Sequence, residues 1–248
     1  MNKTCENLLG LGVSIAVGLV LSAGIVSYTA NRIASNKQAV VVKGLAEKEV
    51  TADQARWTVT VGGSGKTIAQ AFAALRANRP AVLAFFAEQG FADGQVQQGR
   101  EVFEAVYKLN KDGNSTGEIQ EYVARQSLRV DSNDVKRVEA AVGKIVRLQE
   151  NGLPLDVANP EFLVSSLEQV KMSLIAEATR NAHDRASEFA KTGEAKVGAM
   201  KSANQGAFYI LPARGGSSYD NEYGGIYDKS TIDKVARVVV TVEYALSQ

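Results

Sequence analysis

The pattern of apolar and polar positions first separates one long uncharged segment from the rest of the chain. No charged residue occurs from Leu8 to Ala30. A bilayer-spanning helix needs about 20 such residues, whereas the core of a removable signal peptide has about 7 to 15. The pattern therefore predicts a transmembrane signal anchor over residues 8–30, between a short cytoplasmic tail (1–7) and a polar linker (31–38). A cleaved signal peptide is the alternative, although bulky Tyr28 stands where a cleavage site needs a small residue.

Small residues recur at every fourth position within this apolar segment. Gly10, Ser14, Gly18 and Ser22 would form a stripe on one face of the predicted helix. Small residues let membrane helices approach closely and pack by van der Waals contact. Self-association through this stripe is one interpretation, and the ordinary abundance of Gly and Ser in membrane helices is the other.

The charges beside the segment do not decide its orientation. Lys3 and the amino terminus precede it, and Arg32 and Lys37 follow it, so the positive-inside comparison is nearly balanced. A tail of a few residues and a large following domain favour an amino end in the cytoplasm. We therefore expect a single-pass protein of a bacterial inner membrane, with its C-terminal domain in the periplasm.

Beyond residue 38 the apolar pattern alternates with period two in several stretches, as in strands with one buried face. Trp57, Val59 and Val61 alternate with polar residues, and a similar run begins at Val40. The intervening "TADQ" has turn chemistry, so a first hairpin is expected there. "GREVFEAVYKLN" and "EIQEYVARQSLRV" predict a second hairpin, while "AKVGAMKSANQG" and "KVARVVVTVEY" predict two later strands.

Helical spacing separates these strands. A helix is predicted over residues 66–89, with a kink or restart near Asn78 because Pro80 lies inside it. A second helix is predicted to start after "DSND" and to stop at Gly152. A long helix ends near Lys191, and its small-residue face suits close packing on a sheet; this face contains Leu174, Ala178, Ala182, Ala186 and Ala190. The element order predicts an α+β fold of mostly antiparallel sheets with packed helices over residues 39–248.

A Gly- and Tyr-rich stretch at residues 206–229 predicts a loop. Tyr219, Tyr223 and Tyr227 stand four residues apart, but the surrounding glycines disfavour a helix. Tyrosine is enriched at protein interfaces. The three tyrosines are therefore candidates for an oligomer or partner contact, and an exposed loop without a partner is the alternative.

Composition removes several classes of function. The chain has 28 Lys and Arg against 27 Asp and Glu, so it lacks the basic excess expected of a nucleic-acid-binding protein. Cys5 is the only cysteine and His183 the only histidine, which excludes a four-ligand Cys/His zinc site within one chain. No metal or cofactor is expected. We expect a solvated, non-catalytic His183 and an Asp53 that caps backbone groups.

The stretch "TVGGSGKT" at residues 60–67 resembles a phosphate-binding loop, which requires G-x-x-x-x-G-K-[ST]. The first glycine of that motif would fall at position 60, where this chain has Thr60. The strand before such a loop is apolar on both faces, whereas Arg56 and Thr58 give this strand a polar face. No nucleotide is expected. The glycines are predicted to form a tight turn, with Ser64 or Thr67 assisting the start of the helix.

Taken in order, these segments resemble the SIMPL-domain family of bacterial envelope proteins over residues 39–247. The similarity is carried by "VVVKGLAEKEVTADQARWTVTV", by the alanine-rich helix with Asn78, and by "YVARQSLRV" running into "DSNDVKRV". The segment "AEATRNAHDRASEFAK" and the closing "VARVVVTVEY" complete it. Ala46 and Ala52 stand where the family has glycine and proline. The resemblance implies an α+β fold, an envelope location, ring-like homo-oligomers and, for some members, oxidative-stress tolerance; it implies no catalytic residues.

These observations favour a structural or interaction protein over an enzyme. The expected partners are the lipid bilayer, through the leading segment, and other copies of the chain. A module that binds a ligand or an envelope partner through the Tyr-rich loop is the second hypothesis. An enzyme of unrecognised type is the third, because carboxylates remain plentiful although His and Cys are scarce.

Overall fold

The computed structural model describes residues 18–27, 38–214 and 226–247. Helix α1 covers residues 18–27 of the predicted anchor; residues 8–17 and 28–30 of that prediction lie outside the described part. Within the described residues, no helix combines the length and the apolar character needed to cross a bilayer.

Nine strands and four further helices follow α1 along the described chain. They are β1 (Ala39–Thr51), β2 (Gln54–Gly65), α2 (Ile68–Glu88), β3 (Val96–Gln98), β4 (Val102–Leu109), β5 (Ser115–Ser132), α3 (Val135–Lys144), α4 (Val146–Glu150), β6 (Leu155–Val157), β7 (Glu161–Leu163), α5 (Leu167–Thr192), β8 (Lys196–Pro212) and β9 (Asp233–Ser247).

The strands form two sheets. One has the order β1-β9-β8; the other has the order β3-β5-β2-β6, with β4 also paired to β5 and β7 to β2. Every strand pairing of the larger sheet is antiparallel. The predicted α+β class with antiparallel sheets is confirmed. The chain divides into two compact units, one formed by Met1–Glu47, Lys171–Ala207 and Arg237–Gln248, the other by Lys48–Val170 and Phe208–Ala236.

The prediction of a first hairpin is wrong, because β1 and β2 belong to different sheets. The residues between them bond to distant segments instead of closing a local turn. The backbone N–H of Ala52 donates to the carbonyl of Ile232 (2.9 Å), and that of Asp53 donates to the carbonyl of Leu163 (3.0 Å). The second predicted hairpin is confirmed as β4 and β5, whose register runs from Val102 opposite Arg125 to Leu109 opposite Ser115.

Helix α2 packs on β2 and closes the core of the second unit. Trp57, Val59 and Val61 are fully buried, and the ring of Trp57 meets that of Phe86 edge to face at 5.7 Å between centroids. The helix is continuous through Pro80, so the predicted restart does not occur. Thr67 caps its first turn in a reciprocal capping box with Gln70. Of the two predicted candidates, Ser64 and Thr67, the structure therefore confirms Thr67.

The glycines of "TVGGSGKT" lie in β2, not in the predicted tight turn. They allow α2 to approach the strand closely. A Cβ atom on Gly63 would lie 2.1 Å from the backbone nitrogen of Leu75, and one on Gly65 would lie 2.5 Å from the Cβ of Gln70. The glycines therefore serve helix packing.

Helix α5 brings its small-residue face against β1 in the first unit, as predicted. Leu174, Ala178, Ala182 and Ala186 are completely buried. A Cβ on Gly44 would lie 1.9 Å from the carbonyl oxygen of Ala178, so strand and helix backbones are in direct contact. Strand β8 extends to Pro212, which corrects the predicted loop at residues 206–212: the chain there is a strand, with Ile210 buried.

Candidate functional site

Several polar side chains that suggested chemistry are engaged in holding the fold. The ammonium group of Lys66 donates to the carbonyl of Gln120 (3.0 Å). With the glycines in a strand and Lys66 tied to the neighbouring backbone, this segment has none of the geometry of a phosphate-binding loop.

Asp53 caps backbone, as predicted, but in a distant segment. Its Oδ1 accepts a hydrogen bond from the backbone N–H of Ser165 (2.7 Å), and its Oδ2 accepts one from the Ser165 hydroxyl. Burial alone would raise the pKa of the Asp53 carboxyl, but the two bonds from Ser165 outweigh it and lower the pKa. The carboxylate therefore fixes the chain just before α5 begins.

His183 lies on α5 with about half of its side chain exposed (54%), as predicted. Its ring meets the ring of Tyr244 edge to face at 5.5 Å between centroids. Asp184 is the nearest carboxylate, with 3.9 Å between the His183 Nδ1 and a carboxylate oxygen. No serine or cysteine side chain is bonded to the imidazole in the described structure, so no nucleophile–base pair forms here.

Of the three predicted contact tyrosines, Tyr219 and Tyr223 lie outside the described residues. Tyr227 is half-buried, and its hydroxyl accepts a hydrogen bond from the backbone N–H of Val164 (3.0 Å). The chain at Tyr227 also forms a bridge with Ile210. This tyrosine thus fixes the base of the loop to the body of the second unit.

A buried ion pair follows directly after Tyr227. The Nζ of Lys234, which has no solvent exposure, donates to the carbonyl of Asp228 (2.6 Å) and to its Oδ2 (3.0 Å). Burial pushes the pKa of Asp228 up, but hydrogen bonds from Thr231, Ser230 and Lys234 outweigh it and hold that pKa far below its usual range. Neighbouring residues hydrogen-bond to the pair, and Lys234 is fully buried. This arrangement is typical of an ion pair that stabilises the fold.

The small-residue stripe of the leading segment is only partly described. Gly10 and Ser14 lie outside the described residues. In α1 the Ser22 hydroxyl donates to the carbonyl of Leu19 (2.9 Å), and nothing lies within 4 Å of a Cβ built on Gly18. In the described part of the chain, no three Cys, His, Asp or Glu side chains are grouped as a metal site would require.

A cleft of about 640 Å³ opens in the second unit beside the base of the loop. Phe162 and Ile232 supply apolar surface, and Lys136, Glu139 and Arg214 bring charge. None of these three charged side chains forms an ion pair with another described residue. The cleft can accommodate a small polar ligand.

An exposed apolar surface of the second unit is the hairpin arm, which we define as β4 together with residues 115–122 of β5. Its exposed large apolar side chains are Val102, Phe103, Tyr107, Leu109 and Ile119. Leu109 is 66% exposed. Contiguous exposed apolar side chains are candidates for contact with another protein or a membrane.

The arm is an extension of the core face of the sheet. The Phe103 ring contacts Phe72 of α2 (5.9 Å between centroids) and Tyr122 of β5 (6.4 Å), so Phe103 lies at the edge of the core. Tyr107 and Leu109 share its side of the strand by the period-two alternation of β4. The face of the sheet that packs against α2 thus continues beyond the area that the helix covers, and Tyr107 and Leu109 are exposed there.

Ion pairs hold the base and the outer face of the arm. Arg76 and Arg79 of α2 both bind the carboxylate of Glu101, at 2.8 and 3.1 Å. Across the hairpin, Lys108 pairs with Glu118 (2.8 Å) and Arg125 pairs with Glu104. The second edge of β4 has no partner strand among the described residues.

The sequence predicted this hairpin but not its exposure. A usable signal was present, because Val102-Phe103 and Val106-Tyr107 are adjacent apolar pairs. Adjacent residues of a strand lie on opposite faces, so such pairs place apolar groups on both faces at once. That pattern does not fit a strand with one wet face.

Comparison with known proteins gives one broad match. The family model described as SIMPL, protein of unknown function (DUF541), matches residues 40–243. No curated protein matches the chain. One similar solved structure is the crystal structure of an amidase of the hydantoinase/carbamoylase family from Burkholderia phymatum, 16% identical, with a TM-score of 0.25. The match covers 55% of this chain and only 35% of that one, and a similarity this low carries no argument.

Proposed function

The chain belongs to the SIMPL family of proteins of unknown function, and we propose that it is a structural and interaction protein that assembles with copies of itself. The observation that carries this proposal is the hairpin arm, whose large apolar side chains are exposed beside a strand edge that no strand of the described residues pairs with. Exposed apolar surface and open strand edges promote aggregation unless they have a partner. A second copy of the chain is a partner that is always present.

The use of the polar side chains supports assembly over catalysis. Lys66, Asp53 and the Asp228–Lys234 pair each bond to groups that maintain the fold. A catalytic acid, base or nucleophile must instead reach a substrate. The function we propose therefore depends on surfaces and assembly geometry.

In this proposal the leading apolar segment holds the protein in a bacterial inner membrane, with the folded part in the periplasm. Confining the chains to one membrane raises their effective concentration, so that a modest interface is sufficient. The assembly would be a homo-oligomer, ring-like where the contacts close on themselves, and the resemblance to the family suggests a role in envelope stress tolerance.

The mass of the full-length protein in detergent tests this proposal. We expect the protein to sediment with membranes and, after extraction, to give a protein mass by light scattering that is a multiple of the 26.5 kDa chain. A single-chain mass over the whole accessible concentration range would contradict self-assembly. Recovery of the protein in the soluble fraction without detergent would contradict the anchor.

The cleft at the base of the loop favours a second candidate function, the binding of a small polar ligand. Lys136, Glu139 and Arg214, which form no ion pair with the described residues, stand there beside apolar Phe162. A thermal-shift screen of small charged metabolites tests this candidate. A stabilising ligand should lose its effect in an Arg214→Ala variant, while a ligand-independent melting temperature across the screen would count against it.

A further inference from the structure

We propose that two copies of the chain pair edge to edge through β4, antiparallel, about a two-fold axis that passes at Val106. This inference rests on the proposed self-association and names its surface, its register and its partner. The larger sheet would then continue from one copy into the other as β5-β4-β4-β5.

The first support is the regularity of the free edge. Strand β4 has 8 residues, and its register with β5 shifts between Val106 and Tyr107 and again between Tyr107 and Leu109. Both shifts add residues to β5 and none to β4. From Val106 to Tyr107, one step along β4 corresponds to two steps along β5, from Glu121 to Ile119. From Tyr107 to Leu109, two steps along β4 correspond to four along β5, from Ile119 to Ser115. The irregularity therefore lies on β5, and β4 keeps a regular edge that a further strand can extend.

The second support is charge complementarity, because Glu104 and Lys108 stand two residues on either side of Val106. A two-fold axis at Val106 places Glu104 directly opposite Lys108 of the partner subunit. Each of these residues already has an opposite charge on β5. Across the four strands the charges would run Arg125, Glu104, the partner's Lys108 and the partner's Glu118, alternating in sign at every step.

This alternation selects one register. An axis moved by one residue to Ala105 places Glu104 opposite Val106 of the partner subunit, and the ion pairs are lost. An axis at Glu104 places that carboxylate opposite its own copy, and an axis at Lys108 does the same for the ammonium groups. Like charges directly opposite each other destabilise a strand pair, whereas opposite charges stabilise it.

The third support is the apolar face of the arm. With the axis at Val106, Phe103 lies opposite Leu109 of the partner subunit, and Ala105 lies opposite Tyr107 of the partner subunit. Directly opposite side chains have Cβ atoms about 4.5–5.5 Å apart and interact. The side chains that the single chain leaves exposed would thus cover one another across the two-fold axis.

Engineered disulfides test both the surface and the register. In a full-length Cys5→Ser background, which removes the only cysteine, Val106→Cys places a thiol on the axis. Directly opposite Cα atoms in an antiparallel pair are about 4.5–5.5 Å apart, within the range that a disulfide bridges. Val102→Cys is the matched control, since its Cα would lie about 27 Å from its own copy, at about 3.4 Å per residue.

We expect mild oxidation in detergent to convert most Val106→Cys chains to a covalent dimer that dithiothreitol reverses, and to leave Val102→Cys monomeric on a denaturing gel. Equal cross-linking of both variants would overturn the register. Absence of cross-linking in a Val106→Cys protein that keeps an oligomeric mass would overturn the β4 pairing and leave self-assembly in place. A single-chain mass without cross-linking would overturn both.

Discussion

At the residue scale, single glycines determine how closely α2 lies on β2. Gly63 and Gly62 are neighbours in the same strand, but only a Cβ on Gly63 would enter the helix backbone, 2.1 Å from the Leu75 nitrogen. Forcing extra atoms into a packed contact costs about 1–3 kcal/mol. We expect Gly63→Ala to lower the free energy of unfolding by at least that amount, measured by denaturant titration.

Gly62→Ala is the matched control for this prediction. Its Cβ would lie 3.4 Å from the carbonyl oxygen of Pro154, at ordinary contact distance. We expect a change within about 0.5 kcal/mol, the usual range for substitutions that disturb no packed feature. Equal losses in the two variants would show that a general requirement for glycine in β2, and not the approach of α2, explains both positions.

The buried Lys234 makes a second residue-scale prediction. Asp228→Asn removes the counter-charge of an ammonium group that has no solvent exposure, and breaking such a pair costs about 3–5 kcal/mol. Asp112→Asn, in the turn of the hairpin arm, is the matched control and should be close to neutral. Denaturant titration at neutral pH measures both variants, and a small loss in Asp228→Asn would contradict the role of the pair.

The same pair predicts a pH dependence. Because the pKa of Asp228 is lowered in the folded state, its contribution to stability is present above the pKa of an unfolded aspartate, about 3.9. That contribution is lost as the pH falls from there towards the folded pKa. The wild-type protein should therefore lose stability below about pH 4 more steeply than Asp228→Asn, and parallel slopes would contradict this assignment.

At the element scale, α2 depends on a reciprocal cap at its first turn. Thr67 Oγ1 accepts from the backbone N–H of Gln70 (3.2 Å), and the Gln70 side chain accepts from the backbone N–H of Thr67 (3.2 Å). Loss of such a cap typically costs about 1 kcal/mol. We expect Thr67→Ala to lose that amount in thermal or chemical unfolding and Thr67→Ser to retain most of it. Equal stability of all three proteins would show that the cap contributes little.

The elements also show which predictions a sequence can support. The small-residue face of α5 was predictable because burial repeats with helical spacing, and the β4–β5 hairpin was predictable because both arms and the turn are local. The β1–β2 hairpin was not, because turn chemistry at "TADQ" describes only the bend. Whether the arms pair depends on the hydrogen bonds of Ala52 and Asp53 to Ile232 and Leu163, which are more than a hundred residues away.

The exposure of the hairpin arm cannot be predicted from a short stretch of sequence, because it depends on how far α2 extends over β4. Alternation assigns Phe103 and Tyr107 to one face of β4, but covering them requires a helix of sufficient reach. Helix α2 contacts Phe103 through Phe72 and leaves Leu109 exposed. The surface that supports the proposed function is therefore a result of how far one element extends over another.

At the scale of the whole molecule, the hairpin arm and the leading apolar segment both favour self-assembly. The segment would hold the chains in one plane, and the arm would offer an edge with self-complementary charge. Neither feature alone specifies an assembly. Together they reduce the cost of association, because membrane confinement replaces part of the entropy that free subunits would lose.

The central claim, that the chain assembles through the hairpin arm, is tested most directly by the masses of two matched variants in detergent. Leu109→Lys puts a charge on the arm, and Met172→Lys puts the same charge on α5 at a methionine of nearly equal exposure, 64% against 66%. We expect light scattering to give a reduced assembly for Leu109→Lys and the wild-type mass for Met172→Lys. Identical masses for the wild type and both variants would contradict the claim.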